Sequence, residues 1–143
     1  MHAHSAIRKM SDYHTRLRTL LDRSSEALAN DAVDIVTLAG LRWQLVRLLR
    51  EYQLFKHTEI FDPIIRHRPL GRNEHASRLK ARCEIMGTRY NDFIKRWHLG
   101  ASGPSSSDYR DAARKMIDDV AQHVVEEGGE IARLLDRLNE INR

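Results

Sequence analysis

With 143 residues the chain is long enough for one domain that buries its own core, without needing disulfides or a structural metal. Hydrophobic residues at 41% against charged residues at 31% suit an amphipathic helical protein, while 6% aromatic residues and three prolines speak against a strand-rich domain. The net charge of +4 is modest, and Arg66, Arg68, Arg72, Arg78, Lys80 and Arg82 gather in one stretch, but no aromatic residues interleave with them and no recognition motif accompanies them. That stretch reads as a solvated helix face, and nucleic acid is not an expected partner. No run approaches the roughly 18 apolar residues of a membrane span, and no signal-peptide pattern opens the chain. Cys83 has no second cysteine to pair with, so the expectation is a cytoplasmic protein in a reducing compartment.

Helical periodicity runs the whole length. A first helix is predicted over about 5–29, carrying Ile7, Met10, Leu17, Leu21 and Leu28 on one face. Asn30 and Asp31 break the pattern, and Asp31 or Asp34 caps the next helix. That second helix spans about 34–65 and stops near Pro69-Leu70-Gly71, with Pro63 kinking or loosening its last turns. A third, about 73–99, starts at Asn73 as N-cap. The stretch from Gly100 to Ser107 is the clearest loop, built almost wholly of turn formers. Ser107 or Asp108 caps a fourth helix over about 108–141, which Gly128 and Gly129 interrupt at a cost of about 1 kcal/mol each relative to alanine. Four long helices with short connections predict an all-α, up-down-up-down four-helix bundle, one domain over 1–143.

Written at spacings of three and four, each core stripe contains a polar side chain. Helix one reads Ile7, Met10, His14, Leu17, Leu21, and helix two reads Val46, Leu49, Gln53, His57, Ile60, Ile64. Helix three reads His75, Leu79, Cys83, Met86, Tyr90, Phe93, Trp97, and helix four Met116, Val120, His123, Glu127, Ile131, Leu134, Leu138. A buried imidazole or carboxylate without a partner is costly, so the coincidence asks for one explanation. Metal coordination supplies it, because imidazole and carboxylate ligate iron, zinc and manganese, and residues four apart on a helix reach one point. Each half of the chain is also a hairpin with one histidine on its first helix and an i,i+4 pair on its second (His14 with Gln53 and His57; His75 with His123 and Glu127). Axial levels fit less well: Gln53 lies about 17 residues before the turn near Leu70 and His75 about five after it, many ångströms apart at about 1.5 Å per residue. An early end to helix two after Pro63 would reduce the mismatch.

The segments Ser11-Asp-Tyr-His14, Gln53-Leu-Phe-Lys-His57-Thr-Glu-Ile-Phe-Asp-Pro63, Asn73-Glu-His75 and His123-Val-Val-Glu-Glu127 resemble the hemerythrin-like, or HHE, cation-binding domain. That family places a histidine on helices one and three and His-x-x-x-Glu on helices two and four, and the likeness extends from about Ile7 to Leu138. The Ile60-Phe-Asp-Pro63 run resembles the aliphatic-aromatic-proline tail that follows the family's helix-two motif. In that register Gln53 stands for the family's histidine and His57 for its glutamate. The resemblance implies a hemerythrin-like fold and a non-heme iron centre, mono- or dinuclear. Its implied ligands are His14, His57, His75, His123 and Glu127, with Gln53 a weak ligand or a supporting donor. It further implies an open position for a diatomic ligand such as oxygen, and a part in oxygen, redox or iron sensing or handling. With Glu127 the bridging carboxylate that remains, a single metal, an altered dinuclear site and no metal all stay open.

The alternative is a metal-free bundle acting as a regulatory or protein-interaction module, with the core histidines in a hydrogen-bonded network and the partner surface around Arg66 to Arg82. An enzyme is not expected: the core offers too few carboxylates for a bridged oxidase, and Cys83 reads as a core residue rather than a nucleophile.

Overall fold

The computed structural model describes residues 3–67, 72–97 and 106–141. Among these every element is helical: α1 (Ala3–Ala29), α2 (Ile35–Phe55), a π-helical segment (Lys56–Phe61), α3 (Asp62–His67), α4 (Arg72–Arg96) and α5 (Ser106–Ile141). The segment α2, π turn and α3 follow one another without a break, so the described residues form four helical rods. The all-α expectation holds, with bounds close to those read from the periodicity. Pro69, Leu70, Gly71, Arg68, His2, His98 and the 100–105 part of the expected loop lie outside the described residues. No helix among the described residues is long and apolar enough to cross a membrane.

Local chemistry accounts for the ends. Asn30 Oδ1 accepts from the Ala32 amide at 3.0 Å, turning the chain out of α1. Of the two aspartates proposed as caps, Asp34 is the one that acts: its backbone is extended, and Oδ1 accepts from the Thr37 amide at 2.8 Å. The carbonyls left over at the C-terminal end of α1 are met from across the molecule. Arg110 Nη1 donates to Ala27, Leu28 and Asn30 carbonyls at 3.0, 3.2 and 2.9 Å, and its Nη2 to Val33 at 2.6 Å. Arg42 likewise donates to the carbonyls of Ile94 and Trp97 at the end of α4.

Three expectations change, the first at the start of α5: the helix begins at Ser106, so Ser107 and Asp108 lie inside its first turn rather than capping it. Asn73 is not ahead of α4 but inside its first turn, and its Oδ1 is buried with no hydrogen-bond partner. Gly128 and Gly129 do not interrupt α5, which runs unbroken through both. Pro63 does loosen the second rod, in a specific way: it has no N–H, its ring crowds the carbonyl four residues back, and the turn before it widens so that the Asp62 amide reaches the His57 carbonyl.

That wide turn rotates the core line of the second rod. Downstream, Ile60, Phe61 and Ile64 are buried as the stripe requires. Upstream, the buried residues are Leu38, Leu45, Val46, Leu48, Tyr52, Phe55 and Lys56, so Val46 of the expected stripe is inside, while Leu49, Gln53 and His57 are half-buried at the margin. Counting back three from Ile60 lands on His57, as in an α-helix, but the π turn makes the correct step four, which lands on Lys56. The other stripes keep their apolar members, with Leu17, Leu79, Val120, Ile131 and Leu134 fully buried.

Replacing Asp34 by alanine should lower the urea midpoint of unfolding without changing the slope, and asparagine at the same position should restore most of it. An alanine variant as stable as the parent would mean that α2 is held by packing alone.

Candidate functional site

The rotated stripe brings a lysine into the core. Lys56 Nζ donates to Glu127 Oε1 at 2.5 Å, and the two side chains are only 5% and 3% exposed. Its ammonium also stands 4.3 Å from the centroid of the Tyr52 ring, within cation–π range. Burial pushes the Cys83 thiol up, against the pull of Lys56, so this thiol is a poor nucleophile. Burial raises the Glu127 carboxyl too, but His123 and Lys56 outweigh it and hold the group below the usual carboxylate range.

Of the six residues implied as ligands, Glu127 belongs to this pair and the other five are spread around it rather than gathered upon it. His14, half-buried on α1, is 2.8 Å from Tyr52 Oη through Nε2, with the two rings edge to face. His123 Nε2 stands 3.3 Å from Glu127 Oε2, unaligned for a hydrogen bond. Gln53 lies against Gly87 on α4, where an added Cβ would come 3.1 Å from its Oε1. His57 packs on Phe61, with ring centroids 5.7 Å apart, and its buried Nε2 has no hydrogen-bond partner. His75 is 3.8 Å from Glu130, which also pairs with Arg82. The level of Gln53 is thus the level of Gly87, and His75 is 12 residues earlier on α4 (87 minus 75), or ~18 Å along the axis. The mismatch foreseen from the sequence is real.

Gly128, which sequence reasoning read as a helix interruption, is a seat. A Cβ there would overlap His14 Cε1, so the glycine leaves room for the imidazole that caps Tyr52. Lys56 is the residue the sequence reading missed. Its signal was present in the stripe Leu45, Leu48, Tyr52, Lys56, which keeps helical spacing if the count starts upstream of Pro63.

Do these residues fit the metal that the resemblance implies? Among the described residues no group of three or more His, Cys, Asp and Glu side chains could hold a metal ion. The carboxylate best placed to bridge, Glu127, is already paired with an ammonium, whose charge would repel a dication at the same place. The arrangement therefore does not fit the group. Compared with family models, curated proteins and solved structures, the chain has no match in any of the three.

Two consequences are measurable. Gly128→Ala should displace His14 from Tyr52 and destabilise by about 1–3 kcal/mol. By contrast, Gly129→Ala, whose Cβ would meet only Arg133 Nη1 at 3.6 Å, should stabilise by about 0.5–1 kcal/mol. Urea titration of both variants checks the pair, and equal effects would remove the seat from the account. The second concerns pH. Burial holds His14 and His57 below the ordinary 6.5, with the charge of Lys80 adding to the effect at His57. The unfolded chain therefore binds more protons than the folded one below pH 6.5, and stability falls as pH drops through that point. A further loss follows below about pH 4.5, as the depressed Glu127 carboxyl is forced to protonate. Melting curves from pH 8 to 4 should show both slopes, and the His14→Gln, His57→Gln double variant should lack the first.

Proposed function

We propose that this chain is a metal-free, up-down-up-down bundle of the hemerythrin-like type that works as a protein-interaction module. The observation that carries the metal-free reading is the Lys56–Glu127 pair: a covalently attached cation satisfies the core carboxylate, and no dication is needed to do so. Cross-helix contacts support the topology. Lys9–Glu59 and Arg16–Glu51 join α1 to the second rod with numbers rising on one as they fall on the other, and Arg82–Glu130 and Arg89–Asp119 do the same for α4 and α5.

Support for a partner comes from the outer face of α2. Val36, Gly40, Trp43, Arg47, Arg50 and Leu54 form one line at spacings of four and three, all exposed, with Val36 at 80%, Trp43 at 61% and Leu54 at 68%. Apolar anchors interleaved with two arginines suit an amphipathic helix of a partner protein whose own apolar line is flanked by carboxylates. The basic stretch first considered for this purpose is partly spent, since Lys80 pairs with Asp62 at 2.8 Å and Arg82 with Glu130.

Protein expressed in iron-supplemented medium should carry only background metal, and chelator should leave its melting temperature unchanged; near-stoichiometric iron would sink the metal-free reading. Lys56→Met should cost about 3–5 kcal/mol by leaving Glu127 buried and unpaired, and adding Glu127→Leu should recover most of it. For the partner face, a synthetic acidic amphipathic helix with leucines at i, i+4, i+7 and i+11 is the probe. In a Trp97→Phe background it should shift the Trp43 emission saturably, less so at high salt, and not at all once Leu54→Asp is added. No saturable shift would remove α2 as the docking face.

A further inference from the structure

A groove of about 390 Å³ runs along the seam between α1 and α2, within the size range of small-molecule sites. Its walls carry three arginines, Arg16 and Arg23 from α1 and Arg47 from α2. Glu51 is the one carboxylate of the lining, so two positive charges stand in excess. Leu20 and Leu48, both buried, form an apolar floor.

The three guanidinium groups are not equivalent. Arg16 rests over the Tyr13 ring, its Cζ 5.4 Å from the centroid, and pairs with Glu51 at 3.4 Å. Arg23 and Arg47 make no hydrogen bond or ion pair with the described residues. With Arg16 level with Glu51, and numbers falling on one rod as they rise on the other, Arg47 comes opposite Leu20 and Arg23 opposite Gln44. These two arginines therefore stand on facing walls, offset by about three residues or ~4.5 Å along the seam. Such a pair converges on one anion, because each planar guanidinium offers two parallel N–H donors to phosphate or carboxylate oxygens. Their combined charge matches a doubly charged phosphate monoester, whereas a carboxylate would neutralise only one of them.

The other end of the groove suits different chemistry. Arg16 lies seven residues before Arg23, ~10 Å along α1, which is roughly the length of a hexose phosphate. The lining there offers acceptors. Glu51 is one, and Thr15 and Thr19 are others, since their hydroxyl protons already go to the Ser11 and Thr15 carbonyls at 3.2 and 3.1 Å. Acceptors of this kind take protons from ligand hydroxyls, and the carboxylate repels a second anionic group. The leucine floor receives the C–H face of a sugar ring.

We propose that the seam between α1 and α2 is a binding site for a sugar phosphate, its phosphate held between Arg23 and Arg47 and its hydroxyls directed to Glu51 and Thr15. Arg47 also belongs to the exposed line of α2, but Arg23 does not, so the site stands whether or not that line docks a partner.

The test is amide-resolved NMR titration of the intact chain with glucose 6-phosphate at about pH 7.5, where the phosphate is doubly charged. Saturable shifts are expected at the amides of Thr19, Arg23, Arg47 and Leu48. Glucuronate and inorganic phosphate should bind at least about tenfold more weakly, and glucose should give no shift. Arg23→Gln should weaken binding at least about tenfold. Arg50→Gln, which removes the same charge from α2 outside the groove, should change it less than about twofold. Both positions are exposed, so the fold is kept, which unchanged melting temperatures verify. If Arg50→Gln costs as much as Arg23→Gln, net charge alone explains the binding and the site is overturned. Glucuronate as tight as glucose 6-phosphate would overturn the phosphate assignment, and inorganic phosphate as tight would overturn the sugar. A short oligodeoxynucleotide binding more tightly would make the groove part of a nucleic-acid surface, and shifts that are absent, unsaturable or elsewhere would leave no site at all.

Discussion

An ammonium and a carboxylate buried together set the terms for everything around them. Each ion would lose several kcal/mol of hydration in this interior, and their mutual attraction repays that loss only when they meet closely and their remaining valences are occupied. Lys56 meets Glu127 at 2.5 Å and faces the Tyr52 ring on another side. Tyr52 is in turn hydrogen-bonded to His14, which needs Gly128 to have room. A chain of requirements thus runs from α2 to α5 to α1 and back. It also fixes the axial register of the rods, because sliding α2 by one turn against α5 would strand both charges. Apolar packing alone is more forgiving, since one leucine fills another's place at modest cost.

Much of this was legible before any coordinates. The helix bounds followed from Asn30, Asp34 and the apolar spacing, because caps and periodicity are local properties. The interior positions of His123 and Glu127 followed as well, since α5 is regular from end to end. Lys56 was not found, because a stripe read with one helical period cannot cross a π turn without slipping by a residue. Pro63 announced a disturbance but not its kind. Gly128 was misread for a different reason: its purpose is set by an imidazole on another helix, more than a hundred residues away in sequence. The same holds for Arg110 and Arg42, whose guanidinium groups finish helices to which they do not belong.

Under the proposed kinship with hemerythrin-like domains, the electrostatic problem in the core is the familiar one and the solution differs. Imidazoles and carboxylates directed inward require a positive centre. A metal supplies it from solution and makes folding depend on supply and on pH. A lysine supplies it from the chain itself, at the cost of one fixed geometry and one neutralised carboxylate. The residual polarity, which a metal would have taken up by ligation, is left on His123 Nε2 and Glu127 Oε2, buried 3.3 Å apart.

The π turn deserves to be seen as gearing. Between Lys56 and Phe61 the rod advances one residue more than an α-helix would for the same rotation. Wind the same residues as a regular α-helix, and the position three before Ile60, His57, takes the inward place that Lys56 now holds. The side chain carried inward would then be an imidazole in place of an ammonium. A change of winding over 56–61 is therefore a chemical substitution at the centre of the protein, achieved without changing any side chain.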